Sequence, residues 1–106
     1  MRYLMNRQKI YSFLGLCQRA GKVVSGEVGV STNLKKRKLK LVIIAEDASE
    51  NTKKTYINES KKYNVSLIIL GDKVSLGNAI GKEYRSIVGI KDKNMAENLM
   101  RIYSNK

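Results

Sequence analysis

Two short runs of apolar residues predict buried strands. Residues 41–45 read LVIIA and residues 66–70 read SLIIL, without alternation between polar and apolar positions. Such runs are typical of central strands that helices cover on both faces. The polar segment between them, residues 49–63, predicts a helix with Ser49 as its N-cap and with Tyr56, Ile57 and Tyr63 as its apolar contacts. Strand, helix and strand in this order predict parallel pairing through a right-handed crossover.

Helical spacing marks both ends of the chain. The first helix is expected to follow a loose end at residues 1–5, with Asn6 as its N-cap and Gly21 as its stop. Its buried stripe, at positions i, i+3, i+4 and i+7, comprises Ile10, Phe13, Leu14 and Cys17. A short helix over residues 75–80 and a strand over residues 87–90 follow in the second half. A final helix begins at residues 92–94, and its buried side comprises Ala96, Leu99, Met100 and Tyr103.

A short strand, a small-residue turn and a helix are predicted ahead of the first apolar run. They lie within residues 21–47, which read GKVVSGEVGVSTNLKKRKLKLVIIAED. The helix is expected to run from Gly26 or Glu27 to Lys36, with Val30 and Leu34 facing the core. Its first backbone N–H groups and the positive end of its dipole make the turn a natural seat for an anion. The pattern predicts an α/β fold: a single-domain three-layer α/β/α sandwich over residues 1–106, with a mixed sheet of about four strands.

The charge balance narrows the class of partner. Twenty-one Lys and Arg against nine Asp and Glu give a formal net charge of +12. Such an excess points to a polyanion such as RNA, while the alternative that it only keeps the protein soluble stays open. One cysteine and no histidine exclude an internal disulfide, zinc sites and imidazole acid–base chemistry, so no metal or cofactor is expected. No run approaches the roughly 20 apolar residues of a membrane span, and a cytoplasmic location is expected.

The densest basic cluster has two interpretations. Five positive charges fall within six positions, at Lys35, Lys36, Arg37, Lys38 and Lys40. They can form a solvated helix terminus that offsets the helix dipole, or they can bind phosphates. The turns at residues 25–29, 47–51 and 71–73, with the loop at residues 82–85 nearby, are expected at the carboxyl ends of strands, where open α/β sheets bind their ligands.

Several motifs in order along the chain carry a family resemblance. LGLCQRAGKVVSG, then KLVIIAEDAS, then LG at Leu76 and Gly77 with a following AIG, resemble the kink-turn-binding ribosomal-protein superfamily over residues 7–90. This superfamily includes the archaeal "L-seven-Ae" and eukaryotic L-thirty types, and the resemblance is strongest to its small bacterial YlxQ-like ribosomal proteins. The resemblance implies a compact α/β/α sandwich that binds kinked duplex RNA without catalysis.

The resemblance also implies positions for RNA contacts at the second helix. In the archaeal members this helix enters the RNA with a glycine, a variable residue, an Asn-Glu pair and a later lysine. Here the motif glycine falls on Gly26, the pair on Val28 and Gly29, and the lysine on Thr32. The chain therefore lacks the side chains that read sheared G·A pairs in that branch, and Glu27 could replace them only if the helix start shifted.

Two further positions match the family in the loops. The family lysine in the turn after the third strand matches Lys73, and Tyr84 or Arg85 occupies the loop that packs over the flipped kink nucleotide. The hypothesis is a non-catalytic, monomeric protein that binds structured, kink-turn-like RNA and associates with the ribosome. The predicted RNA-binding residues are Gly26, Glu27, Val28, Gly29, Thr32, Lys35, Lys36, Lys73, Lys82, Tyr84 and Arg85.

Two alternatives come from other classes of protein. A basic protein-interaction module of the ribosome or the transcription machinery would use the same charge to dock an acidic partner. An RNA-modifying enzyme would need a fused cofactor domain, for which 106 residues leave no room.

Overall fold

The computed structural model describes residues 2–105, with side chains from residue 5 onward. Nine elements alternate along these residues: α1 (Arg2–Arg19), β1 (Val23–Ser25), α2 (Glu27–Lys35), β2 (Leu41–Ile44), α3 (Glu50–Lys62), β3 (Ser66–Ile69), α4 (Lys73–Ala79), β4 (Ile87–Ile90) and α5 (Lys93–Ser104). The strands form one mixed sheet in the order β1-β4-β2-β3. β2 pairs with β3 in parallel, whereas β4 runs antiparallel to both β1 and β2. The predicted three-layer α/β/α fold with a mixed four-stranded sheet is confirmed.

Alternation along the strands divides the core into two layers. On β2, Leu41 and Ile43 pack with α1, α4 and α5, whereas Val42 and Ile44 pack with α2 and α3. All four side chains are fully buried. This is what the unalternating LVII sequence requires, because each face of a central strand then meets a helix layer.

The second apolar run behaves differently from the first. β3 lies at the edge of the sheet, where Ser66 is exposed and Leu67 and Ile69 are only partly buried. The expectation that both runs form central strands is therefore wrong for β3. An apolar run indicates that helices cover the faces of a strand. It does not indicate whether the strand pairs with another strand on each side.

Asn6 does not cap a helix. α1 begins at Arg2, four residues before the predicted N-cap, and Asn6 lies inside it with 8% of its surface exposed. Its side-chain amide donates a hydrogen bond to the backbone carbonyl of Asn105, just beyond α5. The residue type suited a cap, but a long-range partner at the other end of the chain satisfies its polar group instead. Of the predicted loose end, residues 2–5 are helical, and Met1 lies outside the described residues.

Other local predictions agree with the structure. Gly21, at φ 72°, follows α1, and the side chain of Ser49 accepts a hydrogen bond from the backbone of Thr52 at the start of α3. Within residues 2–105, no helix combines the length and the apolar character needed to cross a bilayer.

Candidate nucleic-acid interface

Four loops meet at one edge of the sheet because of the strand directions. The last residue of β2, Ile44, pairs with Ile69 at the end of β3 and with Ile87 at the start of the antiparallel strand β4. Ser25, at the end of β1, pairs with Val88. The loops at residues 25–29, 45–50, 70–73 and 80–86 therefore share this edge, as the sequence predicted. We call this end of the strands the cleft edge; it is distinct from the lateral edges of the sheet, which are formed by β1 and β3.

Arg85 connects three of the four loops. Its Nε donates to the hydroxyl of Ser25 at 3.1 Å, and its backbone N–H donates to the carbonyl of Lys73 at 2.8 Å. A second link runs from the backbone N–H of Lys73 to Oδ1 of Asp47, at 2.9 Å. These bonds hold the loop ends in one arrangement, so Arg85 has a structural role at the cleft edge in addition to its charge.

An open cleft of about 810 Å³ lies between the start of α2 and the loop before β4. Its lining comprises Ser25, Gly26, Glu27, Val28, Gly29, Gly81, Lys82, Glu83, Tyr84, Arg85, Ser86 and Ile87. Gly26 adopts φ 83°, a left-handed conformation that favours glycine. Its N–H donates to the carbonyl of Ile87 at 3.0 Å, which fixes α2 at the mouth of the cleft.

The start of α2 differs from that of the other helices after strands. Ser49, Asp72 and Asp92 each accept a backbone N–H bond at the starts of α3, α4 and α5, respectively. Gly26 has no side chain and provides no such acceptor for α2. The first-turn N–H groups, from Glu27 to Gly29, are thus at the cleft with the positive end of the helix dipole. This arrangement suits an anionic group.

Apolar and aromatic side chains form the rim of the cleft. Val28 is 82% exposed and Tyr84 is 56% exposed, on opposite walls. The ammonium group of Lys73 lies 5.9 Å from the centre of the Tyr84 ring. An exposed aromatic ring beside a cation is a surface on which an unpaired base can stack.

The electrostatics of the cleft edge differ from the expectation. In residues 25–29, 46–50, 71–73 and 81–86 the basic residues are Lys73, Lys82 and Arg85, whereas the acidic residues are Glu27, Glu46, Asp47, Glu50, Asp72 and Glu83. Two of these carboxylates accept backbone N–H bonds, Asp47 from Lys73 and Asp72 from Ser75, and the bond from Ser75 lowers the pKa of the Asp72 carboxyl. The net charge of +12 is therefore not concentrated around the cleft.

The structure brings most of the predicted site residues together. Gly26, Glu27, Val28, Gly29, Lys82, Tyr84 and Arg85 line the cleft, and Lys73 adjoins it through Tyr84. Thr32 and Lys35 lie farther along α2, in a groove of about 370 Å³ that begins at Glu27 and Val28. Lys36 follows the end of α2, about 15 Å along the helix from Gly26, and does not line the cleft.

The predicted RNA-binding residues omitted Ser25 and Ser86, which both line the cleft, although Ser25 lies in the predicted turn at residues 25–29. The pairing of β1 with β4 places both serines at the cleft: Ser25 pairs with Val88, and its hydroxyl accepts from Arg85, 60 residues away in the sequence. Sequence reasoning also missed Gly77, in α4. A Cβ added at Gly77 would lie 2.4 Å from the Cα of Tyr84, so a glycine is required for the loop to pack on this helix.

Comparisons with known proteins place this geometry in a family. The model of the ribosomal protein L7Ae/L30e/S12e/Gadd45 family matches residues 8–100. The chain is 39% identical over 92 residues to the RNA-binding protein YlxQ of Enterococcus faecium, covering 87% of this chain and 88% of that protein. It is 37% identical over 98 residues to the RNA-binding protein YlxQ of Bacillus subtilis (strain 168), covering 92% and 98%, respectively.

A solved structure has the same fold. A Bacillus halodurans protein of unknown function superimposes with a TM-score of 0.86 at 33% sequence identity, covering 89% of this chain and 95% of that one. The family resemblance that the motifs indicated is confirmed by these matches.

Proposed function

We propose that this chain, which belongs to the ribosomal protein L7Ae/L30e/S12e/Gadd45 family, is a non-catalytic RNA-binding protein that holds a sharply bent RNA stem in the cleft at the start of α2. Two relatives that match most of its length carry the name RNA-binding protein. Association with the ribosome is part of the proposal, and it rests on the family alone.

The observation that carries the proposal is the combination of groups around the cleft. The first-turn amides of α2 offer N–H donors to a phosphate, without a side-chain cap to compete for them. Lys82 and Arg85 line the opposite wall and add positive charge. Tyr84 offers an exposed ring to an unpaired base, an interaction worth about 1–3 kcal/mol per stacked base.

These groups favour a bent stem over a straight duplex. A straight A-form helix presents a regular backbone and keeps its bases stacked inside. The cleft instead offers a concave phosphate seat next to an apolar rim, formed by Val28 and Tyr84. A kink supplies both partners at once, since it folds the backbone inward and extrudes an unpaired base.

The test compares a kink-turn RNA with a straight duplex of equal length in a gel-shift titration. We expect tighter binding of the kinked RNA to the wild-type protein. Tyr84→Ala should remove most of that preference, because it deletes the ring without changing the charge of the cleft. Phe13→Ala is the aromatic control, since Phe13 lies on α1, packs against the core and does not line the cleft.

The outcomes separate the candidate functions. Equal binding of both RNAs by wild type and by Tyr84→Ala would contradict recognition in the cleft. Absence of RNA binding altogether would favour the alternative of a basic module that docks an acidic protein. Ribosome association is tested by sedimentation of cell lysate, in which the protein should comigrate with ribosomal particles and leave them after RNase treatment.

A further inference from the structure

The edge of the sheet opposite the cleft carries most of the positive charge. The helices α1, α2 and α3 end there, the strands β1, β2 and β3 begin there, and β4 ends there. Residues 19–22, 35–40, 61–66 and 91–93 contain one acidic residue, Asp92. Their basic residues are Arg19, Lys22, Lys35, Lys36, Arg37, Lys38, Lys40, Lys61, Lys62, Lys91 and Lys93. We call this set the basic edge.

Helix dipoles account for only part of the basic edge. Arg19, Lys35, Lys61 and Lys62 lie in the last turns of α1, α2 and α3, where a positive charge offsets the negative end of the dipole. Lys22, Lys40 and Lys91 lie outside helices. Lys93 is the first residue of α5, where the dipole disfavours a cation. A structural role in helix termination therefore leaves these four lysines unexplained.

The sheet brings the lysines outside helices together. The backbone N–H of Lys91 donates to the carbonyl of Lys22 at 2.8 Å, which extends the antiparallel pairing of β1 with β4 by one residue. The N–H of Lys40 donates to the carbonyl of Ile90, also at 2.8 Å. Like charges opposite each other on neighbouring strands destabilise a sheet, so the fold bears a cost for this grouping.

Two further contacts extend the basic edge to either side of the sheet. Lys40 and Lys93 line one shallow groove of about 460 Å³ at the start of α5, together with the carboxylate of Glu97. On the other face, the Arg37 guanidinium and the Lys62 ammonium both lie 5.4 Å from the centre of the Tyr63 ring. The basic residues that follow α2 and end α3 therefore meet at Tyr63, on the face of the sheet opposite α5.

We propose that the basic edge is a second RNA-binding surface, which contacts the phosphate backbone of a straight duplex while the cleft is free to hold another RNA segment. Its chemistry is charge without shape or base readout, which suits any regular backbone. The proposal goes beyond binding in the cleft and does not depend on it, because the two surfaces lie at opposite edges of the sheet.

The exposed side chains favour RNA over a membrane as the partner. Peripheral membrane binding combines positive charge with apolar groups that enter the interface. The large hydrophobic side chains that are exposed among the described residues are Met5, Leu16, Val28, Val74 and Tyr84, and the basic edge contains none of them. The two ion pairs between described side chains, Arg7 with Asp72 and Lys53 with Glu50, lie away from it.

The test removes three exposed lysines and measures binding to a straight RNA duplex without unpaired nucleotides. The variant is Lys22→Gln, Lys40→Gln, Lys93→Gln. The matched control, Lys9→Gln, Lys54→Gln, Arg101→Gln, removes the same charge from exposed positions on the sides of α1, α3 and α5.

We expect the first variant to bind the duplex at least tenfold more weakly and its salt slope to fall by about 2–3, because each phosphate contact contributes about 0.9. The control should stay near wild type.

A capture assay tests whether both surfaces act together. A kinked stem is fixed to beads, protein is bound, and a labelled straight duplex is added. Wild type and the control should retain the duplex, whereas the basic-edge variant should bind the stem and lose the duplex. The proposal is overturned if wild type retains no duplex, or if both triple variants retain it equally. It is also overturned if the basic-edge variant loses binding only to vesicles of anionic lipid. Failure of the kinked stem to bind would count against the cleft alone, because the duplex titration tests the basic edge without it.

Discussion

Gly77 and Tyr84 are in direct backbone contact: a Cβ at position 77 would lie 2.4 Å from the Cα of Tyr84 and 2.7 Å from its N and C atoms. This contact seats the loop before β4 on α4 and so positions one wall of the cleft. Because the opposing atoms are backbone, a side chain at position 77 cannot be accommodated by a rotamer change.

Gly77→Ala should therefore displace the loop and weaken RNA binding. Overpacking costs about 1–3 kcal/mol, which we expect to exceed the gain of up to about 1 kcal/mol from replacing a helical glycine. Chemical denaturation and a gel shift measure both effects. Gly15→Ala is the matched control, since its Cβ would approach the Ala79 carbonyl oxygen no closer than 3.4 Å. Equal stability and binding of the two variants would show that the loop is not held by this contact.

Lys73 and Lys61 should differ in their effect on a kinked RNA. Lys73 adjoins Tyr84 at the cleft edge, whereas Lys61 lies in the last turn of α3 at the basic edge. We expect Lys73→Gln to weaken binding of an isolated kinked stem and to reduce the salt slope by about 1. Lys61→Gln should leave that binding nearly unchanged. The opposite ranking, measured by fluorescence titration over a range of salt concentrations, would mean that the kinked stem binds at the basic edge.

Arg85 requires a separate comparison because it also joins loops. Arg85→Ala removes both the charge and the bond to the Ser25 hydroxyl, so it should weaken RNA binding and destabilise the cleft edge. Arg85→Lys keeps the charge and loses the guanidinium geometry. If charge is what matters to the RNA, Arg85→Lys should restore most of the binding.

The sequence predicted the positions of the helices and strands better than it predicted the order of the strands and the contacts between distant residues. Apolar runs and cap residues are local signals, and they located β2, α3 and the start of α5 to within one or two residues. Strand order is not local: β4 inserts between β1 and β2, which places Arg85 beside Ser25. Asn6 shows the same limit, because its partner Asn105 lies 99 residues away.

The distribution of charge over the surface also could not be predicted from local sequence patterns. The net charge is a property of composition, but its separation into a basic edge and a mixed cleft edge depends on strand direction. The cluster at residues 35–40 was visible in the sequence. Its proximity to Lys91 and Lys93 became visible only once β4 was known to run antiparallel to β2.

Cys17 should be unreactive in the folded protein. Burial, followed by the negative charge of Asp92, raises the pKa of its thiol to about 11, and its surface is fully buried. At pH 8 a thiol reagent should label it only after denaturant is added, because the thiolate is the reactive form. Cys17→Ser should destabilise more than Cys17→Ala, since an unsatisfied buried hydroxyl costs about 1–3 kcal/mol. Rapid labelling without denaturant would contradict the buried position.

Asp72 should make stability depend on pH in the acid range. The Ser75 backbone N–H donates to its Oδ1 at 2.8 Å and lowers the pKa of the carboxyl. A lowered folded-state pKa contributes stability above the unfolded value of about 3.9, and that stability is lost as the pH falls through the folded value. Asp72→Asn keeps a capping oxygen and should flatten this part of the curve. Asp72→Ala should cost about 1 kcal/mol even at pH 7, through loss of the cap.

The start of α2 offers a gain-of-function test of how RNA is recognised. Val28 is 82% exposed, and a Cβ at Gly29 would approach the Cβ of Val24 no closer than 3.9 Å, so both positions have room for polar side chains. The double variant Val28→Asn, Gly29→Glu introduces the Asn-Glu pair to which the family resemblance assigns the reading of sheared G·A pairs. We expect tighter binding to a kink-turn RNA, by about 1–3 kcal/mol per good base contact. Binding of the same RNA with its G·A pairs replaced by Watson–Crick pairs should not improve.

The single variant Val28→Gln is the control for polarity at the rim of the cleft. Equal gains for both RNAs would indicate that the new side chains contact the backbone, and no gain for either would place the kink away from α2.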